Sequence, residues 1–296
     1  MARKLDVPVT ALADTTCVLG ESPVWSERES ILYWADIVAA TVHGLDPADG
    51  SRRRWQLPAA VGSLGLREQG GLVLALRSGF HLFDTTTGAL TFLANPEADV
   101  PTNRLNDGKV SPEGRFWAGS MDDRPQREPT GHLYRLDADH RCTRMASGIR
   151  VSNGLAWSPD GRTMFHADSR APAIYCYDYD PDSGALRNRR LFADAQPESG
   201  RPDGGAVDAD GCYWSCGIGA GRINRYAPGG ELIAYVELPV THPTMPCFGG
   251  PGLRTLYCTS LRDGLAADVL ARTPLAGSVF RIDAGIPGTA IGLYRG

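Results

Sequence analysis

The 296 residues suffice for one large all-β domain or two ordinary domains, and 42% hydrophobic with 22% charged residues excludes a disordered or collagen-like polymer. A formal net charge of −4 with no long basic run argues against a sequence-independent phosphate-binding surface, so nucleic acid is not an expected partner. No stretch of about 18 consecutive apolar residues occurs, and Arg3 and Lys4 are not followed by an apolar h-region, which predicts neither membrane association nor secretion, but a cytoplasmic protein.

Along the chain, residues 7–13 read as a strand, followed by a hairpin over residues 23–36 (PVWSERESILYWAD). Arg52, Arg53 and Arg54 form the one tight cationic cluster and fit a solvated strand edge, where charge discourages edge-to-edge pairing. Further hairpins are predicted at 110–121 (VSPEGRFWAGSM), 155–168 (LAWSPDGRTMFHAD) and 207–216 (VDADGCYWSC), each a short apolar strand, a polar tight turn and a strand rich in aromatic or β-branched residues. The turn landmarks Glu29, Gly70, Gly114, Gly161, Gly211 and Leu253 recur roughly every 45 residues, and a third strand with a polar turn follows each.

Six such units account for nearly the whole chain. With no helical period between them, they predict an all-β, six-bladed β-propeller spanning residues 1–296 as a single domain, with residues 7–13 adding an outer strand to the sixth blade and closing the ring. The seven cysteines (17, 142, 176, 212, 216, 247 and 258) are an odd set and read as reduced and mostly buried. Cys212 and Cys216 stand too far apart for a zinc knuckle.

Counting eight residues back from each landmark reaches the start of the innermost strand and gives Glu21, Gly62, Asn106, Asn153, Asp203 and Met245. Equivalent positions of successive blades lie on a ring, so four oxygen-bearing side chains face one mouth of the channel. Taken singly, Asn153-Gly154 and Asp203-Gly204 are ordinary turn dipeptides. Their position before the strand, unlike Asp160-Gly161 or Asp210-Gly211 at the hairpin turn, marks them as a shared site. Two carboxylates and two amides suit Ca²⁺, Mg²⁺ or Mn²⁺ better than a structural zinc.

Other chemistries lack their required spacings. There is no G-x-S-x-G elbow, H-E-x-x-H helix or P-loop, and Gly217, Gly219 and Gly221 lack the strand-then-helix context of a dinucleotide site. His43, His81, His132 and His166 fall in predicted strands as packing residues, while His140 and His242 read as surface loop residues.

The strings LGESP (19–23), RLNDGK (104–109), SNG (152–154) and PDG (202–204) resemble the SMP-30/gluconolactonase/LRE family, in family order from about Gly20 to the last blade. The stretch PCFGGP (246–251) followed by Leu256 and Tyr257 is most similar to bacterial xylonolactonase- and arabinonolactonase-type members. The resemblance implies a metal held by Glu21, Asn153 and Asp203, with Asn106 near the metal and Arg104 on substrate oxygens. It admits one divalent ion, Ca²⁺ foremost, with Mn²⁺, Mg²⁺, Fe²⁺ or Zn²⁺ as alternatives. Where some relatives place a substrate-contacting Glu after the third hairpin, this chain has Asp122-Asp123-Arg124, making Asp123 the candidate for that contact.

The expected reaction is hydrolysis of a sugar-acid lactone such as xylono-, arabinono-, glucono- or galactonolactone, with Asp203 as general base and the metal stabilising the oxyanion. Arg104 and Asn106 orient the substrate. The loop at residues 122–130 is a candidate rim, and a monomer or weak homo-oligomer is expected. Two alternatives stand: another metal-dependent esterase or phosphotriesterase on the same scaffold, and a non-catalytic calcium-binding propeller.

Overall fold

Short apolar runs bounded by Gly, Pro and Asp turns fold into successive antiparallel hairpins, and the structure, a computed structural model describing residues 2–296, groups them into six sheets. In blades one to four the strands follow chain order from the channel outward: Gly20–Ser26 to Arg52–Gln56, Val61–Leu66 to Leu90–Ala94, Asn103–Val110 to Cys142–Ile149, and Ser152–Trp157 to Ala185–Asp194. Blade five runs from Arg201–Val207 to Leu232–Glu237, and blade six holds Pro243–Gly249, Thr255–Ser260 and Phe280–Asp283. The strand Val9–Ala11 pairs antiparallel with Phe280–Asp283 and closes the ring, as its sequence predicts.

Two elements were not legible in the sequence. Arg3–Lys4 adds a parallel edge strand to blade five. A short helix, Ala267–Arg272, interrupts blade six, with no apolar stripe to announce it because none of its residues is buried. The arginine cluster lies on the exposed outer strand Arg52–Gln56, and all seven cysteines are free, six of them buried and Cys142 half-buried. None of the helices among the described residues is long and apolar enough to cross a membrane.

The core is divided among the six interfaces between blades, each filled by its own apolar cluster. An aromatic pair sits in every interface: Trp55 and Phe83, Phe80 and Phe116, Trp117 and Trp157, Phe165 and Tyr213, Trp214 and Phe248, and Trp25 with Tyr257 across the closure, with ring centroids 4.9 to 6.2 Å apart. Such pairs add about 0.5–1.5 kcal/mol beyond the area they bury. The repeat is therefore a packing repeat, and it holds the inner strands in fixed angular positions.

Every inner strand shifts register against its neighbour at or beside the residue reached by the eight-residue count. A β-bulge re-aims a side chain without ending the strand. Ser22 (φ 50°) and Gly154 (φ 68°), each just after a ring residue, are in the left-handed region. The loops at this mouth are pinned by aspartates ending second strands. Asp36 accepts hydrogen bonds from the Val18 and Leu19 amides at 2.8 and 3.1 Å, and Asp168 accepts from the Arg150, Val151 and Arg170 amides at 2.9, 3.1 and 3.0 Å. The opposite end holds a separate cavity of about 290 Å³ lined by residues including Val24, Leu64, Trp157, Phe248 and Ile291, and none of the predicted site residues reaches it.

Gly62, the ring position without a side chain, sits where an added Cβ would lie 2.3 Å from the Leu105 carbonyl oxygen of the next blade. Gly62→Ala is expected to cost about 1–3 kcal/mol through overpacking. Urea unfolding checks this: the midpoint falls while the slope is unchanged.

Candidate functional site

The polar ring residues are buried just below the mouth: Glu21 is 7% exposed, Asn106 7%, Asn153 3% and Asp203 9%. Asn106 and Asn153 meet directly, with Asn106 Nδ2 donating to Asn153 Oδ1 at 3.1 Å and to the Ser152 carbonyl at 2.9 Å. Asn153 Nδ2 donates to Ser169 Oγ at 2.7 Å, and Ser169 donates onward to the Pro202 carbonyl at 2.6 Å. This relay ties blades three, four and five together. It also commits the Asn153 amide nitrogen to Ser169, leaving its oxygen as the atom turned toward Asn106.

The carboxylates lack such partners. Glu21 accepts one hydrogen bond, from the Ser22 amide at 2.9 Å, and no side-chain hydrogen bond or ion pair to Asp203 occurs among the described residues. Burial, then the charges of Asp203 and Asp107, raise the Glu21 pKa well above the usual carboxylate range. Burial, then Asp107, push Asp203 up to about 8. Asp107, one residue beyond Asn106, was not singled out in the sequence because it lies off the counted register. Its Oδ2 accepts from the Leu155 amide at 3.0 Å, its Oδ1 is buried without a partner, and burial raises its pKa to about 6. The half-buried Lys109 nearby donates to the Gly205 carbonyl instead of to a carboxylate.

Buried carboxylates that repel one another, with no bonded cation, are what a divalent ion would compensate. The hard oxygens of Glu21, Asp203 and Asn153 fit such an ion. Among the described residues no three His, Cys, Asp or Glu side chains gather as a ligand cluster, so this donor set relies on the Asn153 amide oxygen.

Arg104 is 8% exposed and bridges the ring to the rim. Its Nη1 donates to Asn106 Oδ1 at 2.7 Å and its Nε to Asp123 Oδ1 at 3.0 Å. Asp123 is held in addition by Arg77 at 2.5 Å and Arg127 at 3.3 Å. The loop after Asp122 folds back on that carboxylate, which accepts from the Arg124 side chain at 2.8 Å and the Glu128 amide at 2.9 Å. Of the histidines, His166 is buried against Ser152 Oγ at 2.8 Å and, with burial as first cause, its pKa falls to about 4.

A propeller with a polar ring of this make-up belongs to a recognisable group. The model of the SMP-30/Gluconolactonase/LRE-like region matches residues 19–262, and the chain is a member of that family. It is 46% identical to the 6-deoxy-6-sulfogluconolactonase of Pseudomonas putida over 94% of this chain and 96% of that one. It is 36% identical to the regucalcin of Xenopus laevis over 98% and 99% of the two chains. The crystal structure of a calcium-binding protein, regucalcin, from Agrobacterium tumefaciens superposes with a TM-score of 0.95 at 30% identity, covering 100% of both chains.

The carboxylate cluster has a pH signature. With the Asp203 pKa raised from 3.8 to about 8, the folded protein keeps a proton that the unfolded chain releases in between. Its stabilising contribution is present below the lower value and is lost as pH rises through the upper one. In chelator, thermal unfolding is therefore expected to move to lower temperature from pH 5 to 8, and Asp203→Asn to flatten the slope. A divalent cation at a hundredfold over its Kd restores about 2.7 kcal/mol. A flat wild-type profile in chelator contradicts the raised Asp203 pKa.

Proposed function

We propose that the chain works as one propeller unit that hydrolyses a sugar-acid lactone with the help of a divalent cation held by Glu21, Asn153 and Asp203. The observation that carries this reading is the buried carboxylate pair without a bonded cation, set beside Arg104 and Asn106. Support comes from the lactonase relative at 46% identity. Ca²⁺ is the preferred ion, in keeping with the oxygen donors and with the calcium-binding description of the Agrobacterium tumefaciens protein.

When bound, the ion would supply Lewis-acid polarisation of the lactone carbonyl and favour the ionised form of Asp203. Water adds to the acyl carbon, the bond to the ring oxygen breaks, and one lactone plus one water gives one hydroxy acid. Asp203 takes the proton from water as the C–O bond forms and returns it to the departing ring oxygen. Arg104 and the Asn106 amide fix the sugar oxygens so that the acyl carbon faces Asp203. Arg104 is itself held by Asp123, so Asp123 acts by positioning that guanidinium as well as by facing the substrate.

Rates across xylono-, arabinono-, glucono- and galactonolactone, corrected for spontaneous opening, test the reaction. Chelator is expected to abolish turnover, and Asp203→Asn to lower kcat by about 10²–10⁴-fold while the fold is kept. Arg104→Gln is expected to raise KM by about tenfold. Full activity of folded Asp203→Asn would remove Asp203 as the base, and lactone opening that ignores chelator would remove the ion.

A further inference from the structure

The cavity at the end of the channel away from the mouth plays no part in the lactone chemistry. Its volume is about 290 Å³, and Val24, Leu64, Trp157, Val207, Phe248 and Ile291 are among its largely apolar walls. An apolar cavity of about 150 Å³ is enough to take up benzene, so this space admits a small organic molecule.

Lys109 is the one charged residue lining it among the described residues, and no Asp or Glu does. The lysine stands three residues past Asn106 on the inner strand Asn103–Val110 of blade three and donates across the channel to the Gly205 carbonyl of blade five. An ammonium carries three donors, and this bond uses one of them. Burial, opposed first by the charge of Asp107, lowers the Lys109 pKa.

The hydroxyls of the wall are already bonded. Ser22 Oγ donates to the Leu64 carbonyl at 3.3 Å and accepts from the Leu64 amide at 2.9 Å. Ser158 Oγ donates to Asp160 at 2.5 Å, and Thr289 Oγ1 to the Val207 carbonyl at 3.0 Å. Lys109 is therefore the wall side chain with donors to spare, and a carboxylate on an apolar body matches both the charge and the surroundings. A sugar acid does not: its hydroxyls would be left without partners against these walls.

The cavity is covered by a strap. Past blade six the chain crosses the channel, with the Thr289 amide donating to the Val207 carbonyl of blade five at 3.1 Å and the Tyr294 amide to the Leu66 carbonyl of blade two at 2.8 Å. Between these anchors residues 290–293 make no backbone hydrogen bond among the described residues, and Ala290, Ile291 and Gly292 line the cavity. A segment held at both ends and unbonded in the middle gives a ligand a way in without parting the blades.

We propose that this cavity is a second ligand site, taking one small monocarboxylic acid with an apolar ring or chain, its carboxylate on the Lys109 ammonium and its body against the walls beneath the strap. The site uses none of Glu21, Asn106, Asn153 and Asp203, so it stands or falls independently of the lactonase reading.

Isothermal titration of the full chain in Ca²⁺ buffer with 3-phenylpropionate and its uncharged match 3-phenylpropanol tests it. One acid per chain is expected, bound tenfold or more tighter than the alcohol, with a negative heat-capacity change from apolar burial. Lys109→Met is expected to weaken the acid about tenfold and leave the alcohol unchanged, whereas Arg104→Gln leaves both unchanged because the acid does not sit at the mouth. Where Lys109→Met does not fold, wild-type crystals soaked in 4-iodobenzoate decide by the iodine position: between Trp157 and Ile291 it supports the site, and at the ring of Glu21 and Asp203 it overturns it. Equal affinity for acid and alcohol, no binding of the acid at millimolar concentration, or acid binding that survives in folded Lys109→Met overturns the site as well.

Discussion

Glu21 and Asp203 stand at the ends of two inner strands on blades one and five, buried, repelling one another and bonded to no cation. Water would normally screen such a pair, but the propeller keeps it under the mouth of the channel. Everything else in the site is arranged around this cost. The bulge in each inner strand turns the ring residue inward, the left-handed Ser22 gives Glu21 its single hydrogen bond, and the Asn106–Asn153–Ser169 relay joins blades three, four and five. A site of this kind trades stability for a place where positive charge is welcome.

The same logic extends outward. Below the mouth the unpaired charge is negative, and on the rim three arginines gather on one aspartate. Arg104 spans the two regions, touching Asn106 on one side and Asp123 on the other. The rigid part of the device is the ring of blade interfaces, each with its own aromatic pair, so neither region has to be assembled by motion of the blades.

Much of this was legible in the residues because the repeat is regular where it matters. The count from Glu29, Gly70, Gly114, Gly161, Gly211 and Leu253 reaches equivalent positions since every inner strand carries its bulge at the same place. Asn106 and Asn153 are indeed in contact. What escaped the count lies off that register. Asp107, one residue past Asn106, turns a carboxylate oxygen to the Leu155 amide, and Ser169 acts from a loop. The strand Arg3–Lys4 is too short to have a pattern. Asp123 is the instructive case: its place after the third hairpin suggests a sugar contact, and its three arginine partners add a positioning role that spacing alone does not reveal.

The central claim is that Glu21, Asn153 and Asp203 hold one divalent ion together. Anomalous diffraction from crystals soaked in Mn²⁺ tests it most directly. The account predicts a single strong peak within bonding distance of one oxygen from each of the three side chains, absent in Asp203→Asn crystals. A peak bound elsewhere, or none at the ring in crystals fully exposed to the ion, would contradict it.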